Sequence, residues 1–190
     1  MKNIKSIIFI SLIFCTLGVY SQSLKKIEKL KIDCAIAKKE FIKSDFQMQD
    51  HFNNAYAYVI FPNVGKGGIG IGGATGTGIV FKNGKRIGIA NLTQLSIGFQ
   101  FGGQAYREVI FFRGERQLND LKLNKVKLSA QASAVAVTEG ASADAKYDHG
   151  VMVFTMQKGG LMYEASIGGQ KFKFKSFSKR NKLFKKNKKK

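Results

Sequence analysis

The run Gly65-Lys66-Gly67-Gly68-Ile69-Gly70-Ile71-Gly72-Gly73-Ala74-Thr75-Gly76-Thr77-Gly78 puts eight glycines into fourteen positions. Two different designs need glycine at that density. One ends a strand in a phosphate-cradling loop and opens a helix; the other lets strands bend sharply or approach each other closely. Gly68-x-Gly70-x-x-Gly73 matches the dinucleotide fingerprint in form. That fingerprint requires a helix N-terminus to receive the pyrophosphate. Here a β-rich run from Ala74 to Phe81 follows instead, and Pro62 interrupts the approach. Gly65-Lys66-Gly67 also lacks the Ser or Thr that follows lysine in a phosphate loop. A strand explains the spacing better: Gly68, Gly70 and Gly72 fall on one face, with Ile69 and Ile71 on the other. Together with Gly73, Gly76 and Gly78 they mark a bare face that is either structural or in contact with a ligand.

The rest of the chain supports a sheet. Strands at 78–81 and 86–90 flank Asn83-Gly84, a dipeptide suited to the positive φ angles of a type I′ hairpin turn. Strand patterns continue over 55–61, where Pro62 and Asn63 end the run, and over 92–101, 106–112, 127–138, 151–156 and 161–167. Phe172, Phe174 and Phe177 close the ordered part. Ile27, Leu30, Cys34, Ala37 and Phe41 recur at helical spacing within 23–44, and short helices are expected near 45–54 and 114–121. The fold class is therefore α+β: a mostly antiparallel, strongly curved or barrel-like sheet with an N-terminal amphipathic helix and one or two short helices.

Residues 1–21 read as a signal peptide, with Lys2 and Lys5 before an apolar run and Val19 and Ser21 ahead of a cleavage point. Phe14 stands where lipidation of Cys15 would need a small residue, which disfavours a lipoprotein anchor. The remaining 169 residues divide into one domain over 22–177 and a basic tail over 178–190. Export with Cys34 as the only remaining cysteine leaves packing, not a disulfide, to hold the domain together. Its place on the apolar stripe points to a packed thiol.

The net charge is +20, but the leader carries two of those charges and residues 171–190 carry eleven, leaving +7 elsewhere. The tail reads as a solvated terminus or as an attractor of anionic surfaces; nucleic acid is disfavoured because export removes it. The N-terminal helix reads as a cover for the domain or as a basic helix lying on a membrane, with Glu28 and Glu40 favouring the cover. Catalysis has little to use. His51, His149 and Cys34 lack metal-ligand spacing, and His149 with Asp144 and Asp148 is the least implausible acid–base group. No catalytic residue, metal or cofactor is expected. Lys66 could join Lys82, Lys85 and Arg86 at one end of the sheet and hold anionic headgroups.

The run from Ala57 to Gly78, containing Val59-Ile60-Phe61-Pro62-Asn63-Val64-Gly65-Lys66, resembles the opening signature of the SYLF lipid-binding family. Ser96-Ile97-Gly98-Phe99-Gln100-Phe101-Gly102, Glu108-Val109-Ile110, the alanine-rich 126–134 and Lys158-Gly159-Gly160-Leu161 follow in that family's order. The likeness covers roughly 45–177. It implies a noncatalytic domain that binds lipid headgroups, phosphoinositides in eukaryotic relatives, with contacts near the N-terminal helix. Lys25, Lys26 and Lys29 then join Lys66 as headgroup candidates. For an exported chain the resemblance implies anionic phospholipid or lipopolysaccharide in the periplasm or cell envelope. The alternative is a structural domain that docks an envelope protein.

Overall fold

The computed structural model describes residues 24–69, 71–97, 104–126, 128, 134–158 and 169–177. Helix α1 spans 24–44 and α2 Met48–Asn54. Strands β1 (Ala57–Ile69), β2 (Ile71–Lys82), β3 (Lys85–Ile97) and β4 (Gln104–Phe112) follow, then α3 (Glu115–Lys122). β5 (Val135–Ala136), β6 (Val151–Gln157) and β7 (Lys171–Ser176) complete one seven-stranded sheet in the order β5-β6-β4-β1-β2-β3-β7. Every pairing is antiparallel except β5 with β6. The α+β class with three helices is as expected.

Alternation along the strands sorts side chains onto two buried faces. Tyr58, Ile60, Ile79, Val109, Phe111 and Phe154 face the helices and pack with Cys34, Ala37, Phe41, Met48 and Phe52. The inner face carries Ala57, Val59, Phe61, Val80, Leu92, Tyr106, Ile110 and Phe172, closed off by Leu118 and Leu121 of α3. Phe61 on β1 and Phe172 on β7 have ring centroids 6.0 Å apart although β2 and β3 lie between their strands. The sheet is strongly curled.

It is not a barrel, and that part of the expectation is corrected. Among the described residues β5 and β7 remain edges. β5 is only two residues long, and the outward amide of Phe174 already donates to Asn124 Oδ1 at 2.7 Å, while Gly169 N–H donates to the Leu128 carbonyl. A closing strand would need those amides.

Two further readings change. Pro62 does not end β1: the ladders to β2 and β4 shift register around it and resume at Val64. A residue without an N–H is tolerated at such a bulge. The glycine run is also not a single strand. Gly68 pairs with Gly72 and Ile69 with Ile71 across the β1–β2 hairpin, so the expected faces survive but the chain turns back on itself. Gly70, like 161–167, lies outside the described residues. The strand expected over 127–138 appears only at Val135–Ala136, with 127 and 129–133 outside the described residues. The Asn83-Gly84 turn forms as read, with φ of 47° and 71°.

Candidate functional site

Helix α1 presents two faces. Cys34, Ala37 and Phe41 are fully buried against the sheet, and the Cys34 thiol donates to the Ile60 carbonyl at 3.4 Å. Burial pushes that thiol up to about 12, so it is packed and not a ready nucleophile. At 100° per residue, Lys25, Lys29, Ile32, Ile36, Lys39 and Lys43 point the other way. Ile32 is 61 % exposed and Ile36 48 %. The single-stripe reading missed this outward apolar pair, whose signal was two isoleucines four residues apart among lysines.

Beside that face lies a cleft of about 250 Å³ at the seam between helix and sheet. α1 contributes Lys29, Asp33 and Ile36, the β1 bulge contributes Pro62 and Asn63, and Arg107 and Lys158 come from β4 and the end of β6. Lys158 Nζ donates to Asn63 Oδ1 at 3.3 Å, and Lys29 Nζ stands 4.0 Å from Asp33 Oδ2. Three cations against one carboxylate leave a positive cleft, suited to charge-assisted bonds with an anion. Arg107 and Lys158 were not among the residues expected to hold headgroups, because only the fold brings them to Lys29.

Of the residues expected to hold headgroups, Lys29 lines the cleft, and Lys25 and Lys26 are exposed one turn earlier on α1. Lys66 does not join the hairpin-tip cations. It pairs with Ala74, eight residues from Lys82 along β2 and thus roughly 25 Å away at strand rise. Lys85 and Arg86 are exposed at the far tip, and Lys82 lies 4.7 Å above the Tyr56 ring. Gly73, Gly76 and Gly78 have little open space above them. An added Cβ would meet Gln94 O at 3.0 Å, Val64 Cγ2 at 2.9 Å and Ile60 O at 2.4 Å respectively.

The His149–Asp148 pair forms, Nδ1 to Oδ1 at 2.6 Å, but on side chains 93 % and 74 % exposed. Another grouping was not foreseen: Asp45, His51 and Ser142 converge from α1–α2 and the loop after β5. Their bonds run to the main chain, Asp45 Oδ2 accepting from Ser142 N–H at 2.8 Å and His51 Nε2 lying 3.0 Å from the Ser142 carbonyl. They tie the loop down. Among the described residues no three His, Cys, Asp or Glu side chains group as metal ligands, and no helix is long and apolar enough to cross a membrane.

This geometry defines an α+β domain whose distinctive surface is a helix face with a cationic cleft beside it. Residues 93–186, just under half of the chain, match the Ysc84 (SYLF) family, described as Las17-binding protein actin regulator. The match begins within β3, downstream of the glycine-rich signature, and runs on into the lysine-rich terminus. The chain is also similar to beta cell expansion factor A of Aeromonas veronii, 25 % identical over 123 residues. That alignment covers 64 % of this chain and 46 % of the relative, so the chain spans less than half of that protein.

Proposed function

We propose that this chain is a noncatalytic, peripheral lipid-binding protein whose α1 outer face enters the membrane interface while the adjoining cleft takes an anionic headgroup. The observation that carries this reading is the exposure of Ile32 and Ile36 within a frame of Lys25, Lys29, Lys39 and Lys43. Burying an isoleucine side chain gains about 1.5–3 kcal/mol, and each lysine near an acidic surface adds about 1 kcal/mol. The sum suits reversible association once ordering costs are subtracted. Phospholipid or lipopolysaccharide headgroups fit the cleft's charge, and the leader-like residues 1–21 support a place at the cell envelope. The family description names a protein partner, which favours a second reading in which the same face docks an envelope protein.

Vesicle co-sedimentation separates the two. The full chain is expected to bind phosphatidylglycerol-containing vesicles and not neutral ones, more weakly at high salt. Ile32→Ser with Ile36→Ser should weaken binding at least tenfold without lowering Tm, and Lys29→Glu with Arg107→Glu should remove the preference for acidic lipid. Failure of the wild-type chain to bind any vesicle would sink the lipid reading and leave the protein partner. Binding lost on ending the chain at residue 177 would assign adhesion to the tail.

A further inference from the structure

The inner face of the curled sheet carries a buried polar patch that the lipid-binding surface does not use. Glu108 on β4 and Thr155 on β6 are direct ladder partners, Tyr106 lies two residues along β4, and Gln170 reaches in just before β7. All are buried: Glu108 and Thr155 are 0 % exposed, Gln170 1 % and Tyr106 2 %. Gln170 Nε2 donates to Glu108 Oε2 at 3.0 Å. β1, β2 and β3 separate β4 from β7 in the sheet, so this bond crosses the mouth of the curl and belongs to no ladder. Among the described residues, three oxygens of the patch, Glu108 Oε1, Thr155 Oγ1 and Gln170 Oε1, have no hydrogen-bond partner.

An ionised carboxylate with one oxygen unbonded is costly to bury, whereas a neutral acid is much less so. A proton on Oε1 removes the buried charge and converts an unpartnered acceptor into a donor. We propose that Glu108 is a protonation latch on the curled sheet: neutral, it holds the Gln170 segment and β7 over the inner face, and ionised, it releases them.

The surroundings fit that role. The ladder partners of Glu108 are Phe61 from β1 and Thr155 from β6, Tyr106 lies on the same face of its own strand, and Gln170 bonds it from the approach to β7. Only Tyr106 among them titrates, and burial followed by the Glu108 charge pushes its phenol up. The nearest cation on the same face of β1, Lys66, pairs with Gln104, two residues beyond the partner of Tyr106. Burial raises the Glu108 carboxyl from 4.5 to about 7, outweighing the Gln170 bond, which acts in the opposite direction. The closed form therefore keeps its proton up to about pH 7, while an opened form loses it near 4.5. Closure is strongest below pH 4.5, weakens up to tenfold per pH unit as pH rises towards 7, and levels off above that.

Hydrogen exchange on the full chain, corrected for intrinsic rates, tests the latch. Amides of 169–177 are expected to lose protection on the order of 10²-fold between pH 4.5 and 8, while the central strands β1 and β2 keep theirs. Glu108→Gln should flatten that profile. A carboxyl ¹³C titration of the wild-type chain should place the Glu108 midpoint near 7, a result that does not depend on the variant folding. Uniform loss of protection across all strands, an unchanged profile in Glu108→Gln, or a midpoint in the ordinary carboxylate range would each overturn the proposal.

Discussion

At Gly78 a hydrogen in place of a methyl group decides whether β1 and β2 can close. The Ile60 carbonyl occupies the space a side chain would need, and Phe61 Cδ1 would lie 2.8 Å from an added Cβ. Gly78→Ala is therefore expected to destabilise the fold by about 1–3 kcal/mol, the usual range for overpacking. For a domain of this size that lowers Tm by roughly 2–4 °C per kcal/mol, read by thermal unfolding in circular dichroism. Gly65→Ala meets nothing within 4 Å and serves as the control that should barely move Tm. The alternation of glycines announced strands, and the failure of a helix to follow ruled out a phosphate loop. Which glycine is clamped was not legible, because the clamp comes from the carbonyl of another strand. The same holds for Arg107 and Lys158, ordinary cations until the fold brings them to Lys29.

Elements were more readable than residues. Helical spacing located α1 and the Asn83-Gly84 turn located the β2–β3 hairpin, since both signals are local. Pro62 misled because a bulge relieves the missing donor, and a bulge leaves little trace in composition. Apolar periodicity identified the side of α1 that packs but did not say how wide a strip the sheet covers. Ile32 and Ile36 lie outside that strip. The junction of α1 and α2 gives a test at this scale. Burial works against the charge of Asp45, but bonds from Ser142 and Gln47 outweigh it and hold the carboxyl below its ordinary 3.8. A depressed value in the folded state means the stabilisation is present above 3.8 and is lost as pH falls through the lower, folded value. Asp45→Asn should cost about 1–3 kcal/mol at neutral pH and lose less than the wild type on acidification, as measured by urea unfolding at both pH values.

At the scale of the whole molecule, the curl depends on contacts between strands that are not neighbours. Phe61 and Phe172 meet across the inner face, and neither the order of strands nor any local pattern announces it. An alternating pattern specifies two faces of a sheet but not how tightly the sheet bends, so an open curl and a closed barrel read alike. Phe61→Ala and Phe172→Ala should each cost about 3–5 kcal/mol. If the rings hold the curl together, the double variant should fall short of the sum by about 1 kcal/mol, measured by urea denaturation of all four chains. The end of the curl also bears on association between copies. An uncapped edge strand is a template on which a second molecule can extend the sheet. On β7 the Asn124 side chain occupies the Phe174 amide, and Lys171, Lys173 and Lys175 are exposed along the strand. A second molecule adding at that border would have to displace the asparagine and bring like charges together, so this border discourages fibre-like growth of the sheet.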